Sequence, residues 1–306
     1  MSLRVDNHVH TQHSGHSAPG ADVGTMRQAA EAGGLTLSLR EHAPLPEGYA
    51  FRHTAGPSRE FPPVSKAVGL ALDDGSLEAF LEEVRTAGVS LGFEVDILGG
   101  RLAETERLVA ELHRRTEAAG VTIDALNCSH HAMHDAPWDF TPQTLLAAVA
   151  TCGGAARFTR QYFGEIREAV ATGLFQGVSH IEAPLKFEAG SGALPTPLFG
   201  ADASPRGLVG EVWQEEMART LETLARHDVA LEYNTGGLAT WGRPYLSREP
   251  LALAVRLGLK LVVGSDAHDP DQVGRGFTEA EQVLRQAGVA EVWTFKAGRA
   301  VSIPTS

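Results

Sequence analysis

Short apolar, β-branched runs alternate along the chain with longer segments whose apolar residues recur at helical spacing, which is the pattern of parallel strands joined by helices. The first strand is expected at 3–8, followed by a helix at 22–33 with Asp22 as its cap and Gly33 as its stop. A second strand at 35–39 runs into Arg40-Glu41-His42. A helix at 76–88, with Ser76 as its cap, leads to a strand at 89–93. The helix at 101–120 is strongly amphipathic, with Leu102, Leu108, Val109 and Leu112 on one side, and precedes a strand at 121–127. Helices at 142–151 and 156–173 then lead to a short strand at 177–179. The remainder reads as helix 211–227, strand 229–231, helix 248–258, strand 260–263, helix 278–288 and a short last strand at 292–295. Two Pro- and Gly-rich stretches, about 43–75 and 188–210, fit neither period and read as long loops over a common mouth. With no repeat and no linker between two cores, residues 1–306 are expected to form one domain.

The polar residues give this pattern its meaning. The seven main strands run into His8 and His10, His42, Glu94, His130, His180, Glu232 with Asn234, and Asp266 with His268. Successive strand residues point to opposite faces, so His8 and His10 project to one side within reach of a common ion, and Asp266 and His268 repeat that spacing. In parallel α/β barrels the carboxyl ends of the strands meet on one face. Residues far apart in sequence would therefore converge there.

Composition narrows the chemistry. A chain of 306 residues with 43% hydrophobic and 21% charged residues can bury a large core and is neither disordered nor coiled-coil in type. No stretch approaches the roughly 18 to 20 apolar residues of a membrane span, and no export signal is seen, so a soluble cytoplasmic protein is expected. A net charge of -12 argues against long nucleic acid as a partner, whereas bound cations would still allow a small anionic substrate. Two cysteines, Cys128 and Cys152, make no disulfide framework, and Cys152 reads as a buried thiol.

Mixed imidazole and carboxylate donors without a useful thiolate suit Zn, Mn or Fe better than Ca or Mg. About nine such donors exceed the four that one tetrahedral ion takes, so two or three divalent ions are implied. A multinuclear site can activate water and stabilise a leaving oxygen, which is machinery for phosphate-ester hydrolysis.

His8-Val9-His10, His16, Arg40-Glu41-His42, Gly92-Phe93-Glu94, Ser129-His130, Ser179-His180 and Gly264-Ser265-Asp266-Ala267-His268 together resemble the polymerase-and-histidinol-phosphatase (PHP) family, and in particular its histidinol phosphate phosphatases. Arg160-Gln161-Tyr162-Phe163, Pro184-Leu185-Lys186-Phe187 and Asn234-Thr235-Gly236-Gly237-Leu238 fit that branch, and the likeness runs from Val5 to about Pro304. The resemblance implies a distorted seven-stranded (β/α) barrel of TIM-like type holding three metals. It places His8, His10, Glu94 and Asp266 on one ion, lets Glu94 bridge to a second completed by His130 and His180, and gives the third to His16, His42 and His268.

It also implies release of phosphate from L-histidinol phosphate by an activated water, with Asp266, His268 and His180 as catalytic groups. Arg160 is the first candidate to hold the phosphate, Arg243 the next and Lys186 a weaker one; Asn234 is a further substrate contact. His131 replaces His130 if the strand register slips by one. His13 lies off the family pattern, and Glu41 stands where the family usually has aspartate. The alternatives are a PHP enzyme acting on a nucleotide or another small phosphate ester, and a metal-dependent binding protein without turnover.

Overall fold

The computed structural model describes residues 2–46, 69–188, 198–199 and 208–303. Most of both expected loops therefore lies outside the described residues.

In chain order the strands are β1 (Val5–Val9), β2 (Thr36–His42), β3 (Ser90–Asp96), β4 (Ile123–Ser129), β5 (Ala132–Met133), β6 (Ala136–Pro137), β7 (Gly177–Val178), β8 (Ala230–Asn234), β9 (Leu261–Gly264), β10 (Val292–Lys296) and β11 (Arg299–Ile303). The helices are α1 (Val23–Ala32), α2 (Ser76–Ala87), α3 (Leu102–Ala118), α4 (Pro142–Thr151), α5 (Ala155–Ala171), α6 (Leu208–His227), the single turn α7 (Gly237–Thr240), α8 (Arg248–Arg256) and α9 (Phe277–Gln286). The expected α/β alternation is present throughout, with ends displaced by a few residues. One cap differs: Gly75, at φ 82°, precedes α2, while the Ser76 hydroxyl receives the Ala71 N–H instead of capping the helix.

A nine-stranded sheet runs in the order β1-β2-β3-β4-β7-β8-β9-β10-β11, parallel except for the antiparallel β10–β11 hairpin. The fold is thus α/β with a large, mainly parallel sheet. Its strand count corrects the expected seven, because the C-terminal residues make a hairpin where sequence reading gave one short strand. The seam between β1 and β9 carries two backbone hydrogen bonds, Asp266 N–H to His8 O at 2.8 Å and His10 N–H to Ala267 O at 2.9 Å. Asp6 reinforces that seam: its buried carboxylate accepts from the Ser265 N–H and hydroxyl and from the Gly274 N–H.

Period-two alternation sorts the strand residues into two populations. Leu39, Phe93, Leu126, Cys128, Leu231 and Val263 join the main core between sheet and helices. Ala125, Ala230, Val262 and Phe295 form a second, separate cluster on the other face of the sheet, toward the amino ends of the strands. Arg40 is fully buried there, over the Phe295 ring, and burial lowers its pKa to about 10 despite the charges of Glu232 and Asp124. Gly92 makes the space: a Cβ there would stand 2.5 Å from Arg40 Nη1 and 2.7 Å from the Ala125 carbonyl.

Cys128, not Cys152, is the fully buried thiol, because its place in β4 faces the helices whereas Cys152 ends α4 and is half-buried. Among the described residues no helix is long and apolar enough to cross a membrane.

Candidate metal centre

The positions two residues further along the same strands carry the chemistry. Strand pairing sets His42 opposite Glu94, and Glu94 opposite Asn127. His8 and His10 enter from β1 and its end, and Asp266 and His268 follow β9. Four sets of donors have ligand atoms within 4.8 Å of one another: His8, His10 and Glu94; His10, His42 and His268; His8, His180 and Asp266; and Glu94, His131 and His180. His16 joins through His268, with the two Nε2 atoms 2.8 Å apart.

Hydrogen bonds behind the cluster determine where its lone pairs point. His8 Nδ1 is 2.7 Å from Glu232 Oε1, and His10 Nδ1 is 3.5 Å from Glu41 Oε1. A carboxylate can only accept, so each Nδ1 carries the proton and each Nε2 is left as a donor to a cation. Those two Nε2 atoms face each other at 2.9 Å. His16 and His268 repeat the arrangement, their Nδ1 atoms bonded to the carbonyls of Ser14 and Asp266. Two converging imidazole lone pairs repel unless a proton or a cation lies between them, so the donor set fits divalent metal.

Glu94 gives the same indication. Its Oε1 lies 2.6 Å from His180 Nε2 yet has no hydrogen-bond partner of acceptable geometry, so the two atoms aim at a shared point more than at each other. Burial would raise the Glu94 carboxyl, but the His180 and His8 charges hold it well below the usual range. Asp266 is held low in the same way, chiefly by His8 and His10 against burial. Burial opposes a proton on His10, yet hydrogen bonds to Asp266 and Glu41 keep it at about 9. His268, by contrast, is driven down to about 3 by burial and by the neighbouring His10 charge. Asp266 adopts φ 56°, a backbone strain of the kind that clusters at functional sites.

Two glutamates left without a firm role in the sequence lie behind the cluster. Glu232 bonds His8 and accepts the His180 N–H at 2.9 Å. Glu41 accepts the Thr11 N–H and hydroxyl and the His42 N–H, besides facing His10. Gly264 has to be glycine for the same reason, since a Cβ would run into Glu232 Oε1 and His8 Cβ.

His130 is the histidine that the structure does not bring to the cluster. Its Nε2 bonds Glu165 at 2.8 Å and its Nδ1 receives Trp138 Nε1–H at 3.1 Å, all on the helix side of the sheet. His131 takes the place expected of it, with Nδ1 bonded to Asp96 at 2.7 Å and Nε2 4.0 Å from Glu94 Oε1. Burial disfavours charge on His131, but Asp96 raises it to about 10. The parity of β4 explains the exchange. Leu126 and Cys128 face the helices, so His130 does too; Ala125, Asn127 and Ser129 face the opposite way, and His131 continues their row.

The expected phosphate-binding cations are also redistributed. Arg160 is exposed on α5 and does not line the cavity above the cluster. Arg243 stacks on Trp241, 4.0 Å from the ring centroid, and likewise lies outside the cavity lining. Lys186 does line the cavity but stands 3.5 Å from Asp139. Asn234 is buried, hydrogen-bonds Glu232, Asp266 and the Gly236 N–H, and lies outside the cavity lining. His13 bonds Glu83, away from the cluster. Asp96, Asp139, Tyr245 and Arg275 line the cavity and were not singled out for it; Asp96 had a signal, its even spacing from Glu94, and the others had none. The cavity measures about 1070 Å³, ample for a small ester.

The chain is similar in sequence and fold to several known proteins. Residues 248–291 match the family model described as PHP-associated. Over 94% of its length the chain is 27% identical to a Deinococcus radiodurans protein named "Probable histidinol-phosphatase", covering 95% of it. Over 89% of its length it is 26% identical to the Bacillus subtilis histidinol-phosphatase, covering 96% of that protein. The fold is shared with a Listeria monocytogenes structure described as a "putative histidinol phosphatase", at TM-score 0.68 and 22% identity, covering 90% of this chain and 99% of that one. It is also shared with the Lactococcus lactis histidinol phosphate phosphatase, solved with zinc, L-histidinol and phosphate, at TM-score 0.61 and 15% identity, covering 98% of this chain and all of that one. The likeness to the PHP family and its histidinol phosphatases, first read from the histidine motifs, is thus met in a C-terminal family segment, in nearly full-length sequence and in the fold.

Proposed function

We propose that this chain is a metal-dependent phosphomonoesterase that hydrolyses L-histidinol phosphate to L-histidinol and phosphate, a step of histidine biosynthesis. The observation that carries the proposal is the convergence of four imidazole and carboxylate sets at the carboxyl ends of the strands, in a chain that matches histidinol phosphatases over most of its length. The two seam hydrogen bonds and the Val9–Ala267 bridge support closure of seven parallel strands into a distorted barrel, with β10 and β11 appended. The single main core supports one domain.

His8, His10, Glu94 and Asp266 would hold one ion, Glu94, His131 and His180 a second, and His42, His268 and His16 a third. Zn, Mn and Fe all suit these donors. When bound, such ions supply an activated water at neutral pH and positive charge against the developing anion. The protein's own part is orientation: Glu232 and Glu41 fix the tautomers of His8 and His10, Asp96 fixes that of His131, and Asn234 Nδ2 donates to both Glu232 and Asp266, linking the two carboxylates.

The test is phosphate release from L-histidinol phosphate, a nucleoside monophosphate and an aryl phosphate, with Mn or Zn supplied and with chelator. Marked preference for the first ester, abolished by chelator, is expected. Equally slow turnover of all three would overturn the substrate assignment and leave the metal site standing.

A further inference from the structure

A phosphate dianion entering this cavity meets carboxylates from Glu94, Asp96, Asp139 and Asp266. Besides bound ions, a protein cation that is not already neutralised would offset that repulsion. Of the lysine and arginine side chains lining the cavity, Arg115 is paired with Glu78 and Glu111, and Lys186 with Asp139. Arg275 remains. Its guanidinium makes no ion pair among the described residues, and its Nε is buried without a hydrogen-bond partner. An unsatisfied buried donor is costly, and a ligand oxygen would satisfy it.

The backbone holds this side chain at the mouth. The Arg275 N–H donates to Gln272 O, and its carbonyl receives the Thr235 hydroxyl at 2.6 Å. The flanking Gly274 and Gly276 take φ 71° and 74°, a turn that side-chain-bearing residues rarely make. Gln272, in the same turn, receives the His268 N–H at 3.0 Å, so the turn that presents Arg275 is tied to a cluster residue. Its charge also reaches the Tyr245 hydroxyl on the cavity wall.

We infer that Arg275 is the side chain that binds the phosphate group of the substrate, the role that sequence likeness assigned to Arg160. This inference rests on the phosphomonoesterase reading. The planar guanidinium offers paired N–H donors that match two phosphate oxygens, and truncating it leaves the backbone bonds of the turn in place.

Titration calorimetry of inorganic phosphate into metal-loaded wild type, Arg275→Ala, Arg275→Lys and Arg160→Ala tests it. Arg275→Ala should weaken phosphate binding about 10- to 100-fold and raise KM for the ester in parallel, with kcat changed less. Arg275→Lys should recover part of the loss, and Arg160→Ala should match wild type. Metal content by elemental analysis should be full in all four. Arg275→Ala that retains full metal and binds phosphate within about twofold of wild type would overturn the inference. Because the phosphate titration needs no turnover, it decides the role of Arg275 even if L-histidinol phosphate proves not to be hydrolysed.

Discussion

The two ends of the sheet are built from the same strands, two residues apart, and are chemical opposites. At the amino ends, Ala125, Ala230, Val262 and Phe295 pack with the buried Arg40 into a small plug. At the carboxyl ends, His42, Glu94, Asn127, Glu232 and Gly264 occupy the next positions along the same strands, where imidazoles and carboxylates crowd together, His42 Nδ1 standing 3.4 Å from Glu94 Oε2. One end lowers free energy by burial; the other crowds imidazoles and carboxylates whose converging lone pairs call for a proton or a cation between them. The contrast shows how a single alternation can carry stability and chemistry without mixing them, since a residue moved by two positions along a strand changes layer but not face.

The largest effect should come from moving the metal-bearing end. His131→Ala is expected to lose bound metal and most activity, whereas His130→Ala should keep its metal and lose thermal stability, because it strands Glu165 and Trp138 on the helix side. Elemental analysis and thermal unfolding of the two variants separate these outcomes; metal loss from His130→Ala alone would reverse the assignment.

The opposite end should respond the other way. Phe295→Ala opens the plug beneath Arg40 and should cost about 3 to 5 kcal/mol in denaturant unfolding while metal content stays full.

A smaller, pH-dependent effect is expected at Glu182, a buried carboxylate that accepts the Ser247 N–H and hydroxyl. Burial outweighs those hydrogen bonds and raises Glu182 to about 7. The folded state therefore binds a proton that the unfolded state releases near 4.5, so stability falls as pH rises from that value through 7. The full loss is about 3 kcal/mol, and Glu182→Gln should remove that part of the slope in melting curves taken from pH 5 to 8.

Much of this was legible in the amino-acid order. Alternating apolar runs located the strands, helical spacing and the Asp22 cap located α1, and the strand ends named nearly every donor in the cluster, because these signals depend only on local geometry. Parity also bears on the choice between His130 and His131: Ala125, Asn127 and Ser129 are small or polar where Leu126 and Cys128 are apolar, and that row leads to His131, the histidine that joins the cluster. The C-terminal hairpin was missed because its edge strand, Arg299–Ile303, is half exposed and lacks a strong apolar pattern.

What the sequence by itself determined is the kind of fold and the kind of chemistry: parallel strands joined by helices, with imidazoles and carboxylates gathered at their ends. Only the tertiary structure decided which charges are already spent. Arg160, Arg243, Lys186 and Arg275 are equivalent as letters, yet one is exposed on a helix, one lies on Trp241, one is beside Asp139, and Arg275 alone of the four lines the cavity with no carboxylate paired to it among the described residues. The physical reason is that a side chain's local spacing sets its direction, while its free charge depends on partners brought from distant parts of the chain.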